Sequence, residues 1–355
     1  MADLAGAKNY PVEDLRNFTL RVLTALGVPE GDAAIVANSL IEANLRGVDT
    51  HGITRLLGIY IRRLQTGIVN KDGNIAVERE GPSSLLVDGR NCLGAVVAHK
   101  TMRLCLDKAS QTGACWAGIH DSNHCGALAY WAMMALERGM IGIAFTNGPA
   151  SMAPWGGAEA YLSTNPVCFA IPSGEEAPIV LDMATSAVSR GRIILAASRG
   201  EKIPIGWAVD SQGRPTEDAA EGVKGFVMPL GGYKGYGLSL VVDILCGALT
   251  GAAFGPHIGS LYEEFSRGQN VGTMLGALNI SHFLPIEFFR QRVDQEIREI
   301  KACRLAEGSE RIWLPGEMEL AKKQQRLREG IPLDDVRIGE FTKIGDELGV
   351  PFLRV

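Results

Sequence analysis

Four stretches follow one another without a break: Cys115-Trp116-Ala117-Gly118-Ile119, then His120-Asp121-Ser122-Asn123-His124-Cys125-Gly126, then Ala127–Arg138, then Met140–Phe145. The first run is short, apolar and flanked by turn residues, which reads as a buried strand. His120–Gly126 is a polar loop. Ala127–Arg138 places Leu128, Trp131 and Ala135 at helical spacing, and Met140–Phe145 is a second apolar strand. A strand–loop–helix–strand unit of this length is long enough for a crossover between parallel strands, and it sets the middle of the chain as α/β.

Upstream, the first 66 residues read as helices. Pro11 opens an amphipathic segment carrying Leu15, Phe18, Val22 and Leu26, and Gly27 closes it. Pro29 and Asp32 start a second helix through Val36, Ala37, Leu40 and Ile41, ended by Gly47. The loop Val48–Gly52 leads to a third helix ending near Gly67. Short β-type runs follow from Ile75 to Val87, then a helix from about Ala95 to Thr112. Downstream, strands are expected at Val167–Ile171, Ile179–Met183 and Trp207–Val209, and a buried helix at Leu238–Leu249. Charged amphipathic helices are expected at Phe288–Ile300 and Glu317–Arg328. Helical ends around a glycine-rich middle predict a mainly helical domain built from both termini, 1–112 with 283–355, and a mixed-sheet domain at 113–282.

Composition narrows the function. Hydrophobic residues make up 46% and charged residues 21%, as in an ordinary globular protein. The formal charge of −5 comes without a run of either sign, which argues against nucleic acid or an anionic membrane as partner. Met1–Leu15 has no apolar h-region, and Asp243 with several glycines breaks the least charged stretch, Gly235–Pro256, so neither a signal peptide nor a membrane span is expected. Seven cysteines without a Cys-x-x-Cys pair point to a reduced, cytoplasmic protein with no disulfide framework. No His/Asp/Glu set has metal-ligand spacing, so no metal is expected.

Glycine is over-represented, 43 of 355 residues, and the glycines cluster in polar loops. Neither a Gly-x-Gly-x-x-Gly turn nor a P-loop is present, which makes a Rossmann site improbable. His124-Cys125-Gly126-Ala127 opens the crossover helix, where free N–H groups and the helix dipole suit a phosphate or carboxylate; the plain alternative is that Asn123 caps that helix. In Thr50-His51-Gly52 followed by Arg55, His51 titrates near neutrality and suits proton transfer to a carbonyl oxygen. Arg55 offers a planar fork for a carboxylate. The alternative is a capping loop with Thr50 or Asp49 as N-cap. Asp182 suits ribose hydroxyls and Lys234 a pyrophosphate, although these loops are also ordinary turn chemistry. A Cys or Ser hydrolase is disfavoured, because Cys125 merely adjoins His124 and no Gly-x-Ser-x-Gly elbow occurs.

Taken together and in order, these loops resemble the malate/L-lactate dehydrogenase family that lacks a Rossmann fold. The matching strings are Asp49–Arg55, Ser122–Leu128, Pro154–Glu159, Ser163–Pro166, Leu181–Ser186, Ser189–Ile193, Ile203–Asp210, Gly231–Leu238 and Leu314–Glu317. The resemblance implies a homodimeric, cytoplasmic oxidoreductase moving hydride between NAD or NADP and a small 2-hydroxy or 2-oxo acid. Its alternatives within the family are a reductase of a cyclic 2-imino acid, such as piperideine- or pyrroline-2-carboxylate, and a ureidoglycolate-type dehydrogenase. By position it gives His51, with Thr50 beside it, and His124 as proton-handling groups. Arg55 becomes the substrate-carboxylate grip and Thr164 a substrate contact. His124, Cys125, Gly126, Ala127 and Leu128 line the cofactor, with Asp182, Met183, Ala184, Lys234, Pro315, Gly316 and Glu317 as further contacts. Three departures stand out: Thr50 replaces a Ser, Tyr60 lies five residues after Arg55 where the family places a Tyr four after, and Arg192 stands where imine-reducing members carry an acid.

Overall fold

In the computed structural model, which describes residues 7–352, strand β1 (Lys8–Tyr10) leads into helices α1 (Val12–Ala25), α2 (Glu30–Leu45) and α3 (Ile53–Gln65). Residues 1–6, where the stretch read as lacking an h-region begins, and 353–355 lie outside the described residues. Next come β2 (Ala76–Glu80), β3 (Ser84–Asp88), α4 (Gly94–Thr112), β4 (Ala114–Ser122), α5 (Leu128–Met133) and β5 (Met140–Thr146). β6 (Val167–Ile171) and β7 (Ile179–Met183) are followed by α6 (Arg190–Ser198), β8 (Ala208–Val209), β9 (Pro215–Thr216), α7 (Ala219–Lys224) and β10 (Phe226–Val227). The chain ends with α8 (Tyr233–Asp243), β11 (Val271–Asn279), α9 (Ile286–Ala302), α10 (Glu317–Glu329), β12 (Ile331–Leu333) and α11 (Asp335–Leu348).

The main sheet is mixed and has seven strands in the order β2-β3-β4-β11-β5-β6-β7. β3 and β4 are parallel, whereas β11 is antiparallel to both β4 and β5. The crossover read from the sequence is therefore real, but it steps over β11: β4 and β5 run the same way without touching. β11 is almost wholly buried, and its glycines explain how other elements crowd it. A β-carbon on Gly272 would collide with the Cys246 carbonyl, and one on Gly276 would lie 2.8 Å from the Trp116 ring.

One continuous core joins the terminal helices to the sheet, with Leu15, Leu40, Leu57 and Phe341 at one end and Val97, Trp131 and Leu275 at the other. β1 pairs antiparallel with β12, tying the two ends of the chain together. The 112/113 division drawn from the sequence falls inside this unit, because β2 and β3 are strands of the sheet and α4 packs on β4 and β11. A separate small core, including Met152, Leu162, Ile193 and Ala208, lies under the three-stranded sheet β10-β8-β9.

The segment expected as a buried helix, Leu238–Leu249, is only half buried. α8 continues into a π-helical turn at Ile244–Ala248 and buries Ser239, Val242, Asp243 and Cys246. Its other face exposes Leu238, Val241, Ile244 and Leu249, the last 64% accessible. Among the described residues no helix is long and apolar enough to cross a membrane, and no group of three or more His, Cys, Asp or Glu is placed to hold a metal.

Candidate active site

The turn carrying His51 is wound around one buried side chain, Asn44, near the end of α2. Asn44 Oδ1 accepts the Ile53 N–H at 2.7 Å, and its Nδ2 donates to Asp49 Oδ1 at 2.6 Å and to Thr54 Oγ1 at 3.3 Å. A β-carbon on Gly52 would collide with the Asn44 amide, so only glycine lets the chain pass this closely. Arg326 on α10 grips the other side of the turn, with Nη2 at 2.9 Å from Asp49 Oδ2. The capping alternative fails here. Gly52 is the N-cap of α3, the cap's work is done by Asn44, and the Thr50 hydroxyl meets His51 Nδ1 at 2.9 Å.

His51 and His124 stack with ring centroids 5.5 Å apart and planes 23° from parallel. His124 Nδ1 receives the Gly126 N–H at 3.2 Å and lies 2.8 Å from Tyr60 Oη; the His124 N–H donates to Gln269 Oε1 at 3.1 Å. Burial, with the Arg55 guanidinium second, lowers the His51 pKa to about 4. Burial, then the neighbouring His51, lowers that of His124 to about 3. Burial also raises the Tyr60 phenol well above its ordinary value, which keeps it a hydrogen-bond donor.

Arg55 is exposed in the first turn of α3, its Nε 3.3 Å from Tyr262 Oη and its guanidinium 5.1 Å from the Tyr262 ring centroid. No carboxylate among the described residues pairs with it. Tyr262 comes from a loop that the buried Arg63 anchors, donating to the carbonyl oxygens of Glu264 at 2.9 Å and Ser260 at 3.3 Å. Thr50, Thr54 and Arg55 also line an open cavity of about 580 Å³ shared with Lys322 and Arg326.

The remaining predicted residues form a second cluster joined to the first by residues 124–129. Asp182 Oδ2 accepts the Ala129 N–H at 2.8 Å. Asp182 thus takes one N–H at the start of α5, while the Ala127 and Leu128 N–H groups have no acceptor among the described residues. Asn123 does not cap α5; its Nδ2 donates to Asn91 Oδ1 and the Cys92 carbonyl, both at 2.9 Å. Desolvation raises the Asp182 pKa to about 6, and its Oδ1 has no hydrogen-bond partner among the described residues. β7 carries Asp182 and Met183 with Ala184 following, and Val180 donates to the Pro315 carbonyl at 3.0 Å, so 315–316 lie against the same strand two residues before Asp182. Thr185 donates to the Thr164 carbonyl from N at 2.8 Å and from Oγ1 at 2.9 Å, which ties in the Thr164 loop. The Leu230 N–H in turn donates to the Thr185 carbonyl at 2.9 Å, bringing up the start of α8 and Lys234. Glu317 is committed to Lys301 at 2.8 Å, Arg311 at 3.2 Å and the Leu314 N–H at 3.0 Å, so its carboxylate shapes the loop rather than facing a ligand.

These donors fit a dinucleotide. Lys234 is exposed with no carboxylate partner among the described residues, Asp182 keeps a free oxygen, and the space beside Gly126 (φ +81°) is open. Asn44, Tyr60, Tyr262 and Gln269 also belong to the site, although the sequence reading assigns none of them a role there. Asn44 has a signal: it is an amide on the apolar face of α2, one turn beyond Leu40 and Ile41. Tyr262 and Gln269 lie in irregular chain with no such signal.

An unpaired guanidinium, a stacked imidazole pair and a second cluster whose donors fit a dinucleotide suit an oxidoreductase acting on a small acid. The pattern of the malate/L-lactate dehydrogenase family matches residues 10–341, and the chain belongs to that family. It is 43% identical to the malate dehydrogenase of Pyrococcus abyssi, with 98% of each chain covered. It is 40% identical to the malate/(S)-sulfolactate dehydrogenase of Methanothermus fervidus, over 95% of this chain and 97% of that one. The solved malate dehydrogenase of Pyrococcus horikoshii superposes with a TM-score of 0.89 at 40% identity, covering 98% of this chain and 97% of the other.

Proposed function

We propose that this protein is an NAD- or NADP-dependent 2-hydroxy-acid dehydrogenase that interconverts malate, lactate or a similar acid with its 2-oxo acid. The observation that carries this is Arg55, a guanidinium without a carboxylate partner among the described residues, set beside two stacked neutral imidazoles. Arg55 would hold the substrate carboxylate through paired hydrogen bonds, with Thr164 as a further substrate contact. When bound, the nicotinamide supplies hydride to the 2-carbon in reduction and accepts it in oxidation. The imidazole pair delivers or takes the proton at the 2-oxygen, and Thr50 supports His51 through its Nδ1. Asp182, Met183, Ala184, Lys234 and the backbone of Pro315, Gly316 and Glu317 would hold the dinucleotide, with Cys125 through Leu128 beside it.

A hydroxy acid is favoured over a cyclic imine by the segment next to Thr50. A β-carbon on Gly191 would lie 3.9 Å from the Thr50 methyl, and its neighbours there are Arg190 and Arg192, not an acid. We further propose a homodimer: the outward face of α8, with Trp155, Tyr161 and Phe254 nearby, is an exposed apolar surface suited to a second copy. Seven free thiols suit a reducing compartment, and we place the protein in the cytoplasm.

The test mixes purified protein with NADH or NADPH and a panel of 2-oxo acids, following loss of reduced-nicotinamide absorbance. Turnover of oxaloacetate, pyruvate or sulfopyruvate is expected. Turnover of cyclic imines alone would move the protein to the reductase branch, and no binding of either nicotinamide would refute the enzyme class.

A further inference from the structure

Arg55 is long and exposed, and such a side chain grips an acid only after giving up rotamer freedom. Here part of that freedom is already gone. A guanidinium only donates, so Tyr262 Oη accepts the Arg55 Nε–H at 3.3 Å, and the Tyr262 ring centroid lies 5.1 Å from the guanidinium carbon. The Nε edge is thereby occupied. Nη1 and Nη2 donate to nothing among the described residues, and together they form the edge that meets a carboxylate end-on through two parallel bonds.

Tyr262 can hold Arg55 because its loop is fixed to α3 at several points. Besides Ser260 and Glu264, the buried Arg63 donates to the carbonyl oxygens of Leu261 and Arg267, both at 3.4 Å. Arg62 shares a helix face with Arg55, two turns on, and lies 3.8 Å over the Phe265 ring. Leu261, beside Tyr262 in sequence, is buried in the core. Gly259 and Gln269 close the base of the loop, the Gly259 N–H donating to the Gln269 carbonyl at 3.0 Å and Gln269 Nε2 to the Gly259 carbonyl at 3.2 Å. Gln269 Oε1 also takes the His124 N–H, so one loop reaches both the guanidinium and the imidazole pair. Tyr262 itself is 42% exposed, and a cation–π pair in that setting does little for the fold.

We infer that Tyr262 is the positioning residue of the acid grip: it holds the Nε edge of Arg55 and so turns the Nη1–Nη2 edge toward the substrate carboxylate. This rests on the dehydrogenase reading. The ordering of the guanidinium is done before the acid arrives, so the acid does not have to supply it.

The test has two arms. In the first, the full chain is labelled with 15N-arginine, and the Arg55 Nε–H is recognised by its loss in Arg55→Lys. Its order parameter should lie above about 0.6 in the parent and fall below that in Tyr262→Leu. An Arg55 Nε–H equally flexible in parent and variant would overturn the assignment. This arm reads the resting protein, so it decides the positioning role even if no 2-oxo acid is turned over, an outcome that would instead refute the dehydrogenase reading. In the second arm, Tyr262→Phe keeps the ring but not the acceptor, and should raise KM for the 2-oxo acid about threefold. Tyr262→Leu loses both and should raise it about tenfold, the size expected when one long side chain must be ordered on binding. In each, kcat should fall less than about threefold, because the acid group is held alike before and during hydride transfer. A loss of kcat at unchanged KM would overturn the proposal by placing Tyr262 at the reacting atoms. In Arg55→Lys, which has no Nε–H and no planar fork to orient, Tyr262→Leu should change KM by less than about twofold. The full tenfold rise in that background would show that Tyr262 acts on the acid without Arg55, and the positioning role would fall.

Discussion

Asn44→Ala is the substitution that probes the architecture of the site most sharply, because Asn44 touches no ligand yet holds the turn that carries His51. The change removes three hydrogen bonds, to Ile53 N, Asp49 Oδ1 and Thr54 Oγ1. At a net of about 1 kcal/mol each they amount to about 3 kcal/mol. The Ile53 N–H, in the first turn of α3, is left without its acceptor. Urea denaturation of parent and variant should show a loss of about 2–4 kcal/mol with an unchanged m-value. Activity should fall further than the folded fraction, since a displacement of His51 of about 1 Å is enough to cost about 10²-fold in rate. Asn44→Asp adds an internal control: it keeps the acceptor for Ile53 but sets a second carboxylate against Asp49. Its instability should therefore be larger at neutral pH than in mild acid, where one of the two is protonated. A loss below about 0.5 kcal/mol in Asn44→Ala, the size of an ordinary surface change, with kcat intact would refute the reasoning.

Three further outcomes are expected. His51 and His124, with pKa values of about 4 and about 3 against an ordinary 6.5, are neutral in the folded state but protonate on unfolding. Their contribution to stability is complete above about pH 6.5 and is lost as pH falls below it, with a ceiling of about 1.4 kcal/mol per pH unit for each ring; urea midpoints measured across that window check it. Arg55→Gln should raise KM for the 2-oxo acid and lower kcat/KM by about 10²-fold or more. It should also move the His51-dependent limb of the pH profile, the alkaline one in the direction of reduction, upward, because the guanidinium lowers the His51 pKa. Lys301→Ala releases one oxygen of the Glu317 carboxylate, leaving Arg311 and the Leu314 N–H on the other, and should weaken nicotinamide binding several-fold by fluorescence titration. Being partly exposed, that ion pair should cost the fold less than about 1 kcal/mol.

Element ends are most legible where proline and glycine punctuate the chain. Pro11 and Gly27 bracket α1, Pro29 and Gly47 bracket α2, and the strands at Val167–Ile171 and Ile179–Met183 fall where their apolar runs place them. β11, the centre of the sheet, gives no such sign. Both its faces are buried, so Val271–Asn279 shows no alternation, and Gly272 and Gly276 read as loop although they are there for close packing. The exposed side of α8 escapes the sequence for the opposite reason: an apolar run does not say whether its own chain or another molecule covers it. At the site, His51, Arg55 and His124 are recognisable because their chemistry travels with their loops. Asn44 and Gln269 are not, since each works through backbone groups distant in sequence. Tyr60 stands between these cases. Its offset from the family's position looks like a lost contact, and the fold shows the hydroxyl bonded to His124.

For the proposed chemistry, the imidazoles and Arg55 must meet one small acid beside a nicotinamide. A crystal structure of the protein with bound nicotinamide cofactor and a non-reacting 2-oxo-acid analogue tests this most directly. The predicted result is an acid carboxylate bonded to Arg55, with the 2-oxygen within hydrogen-bond distance of the His51–His124 pair. An analogue seated elsewhere, with Arg55 still against Tyr262 and no ligand oxygen near either imidazole, would contradict it.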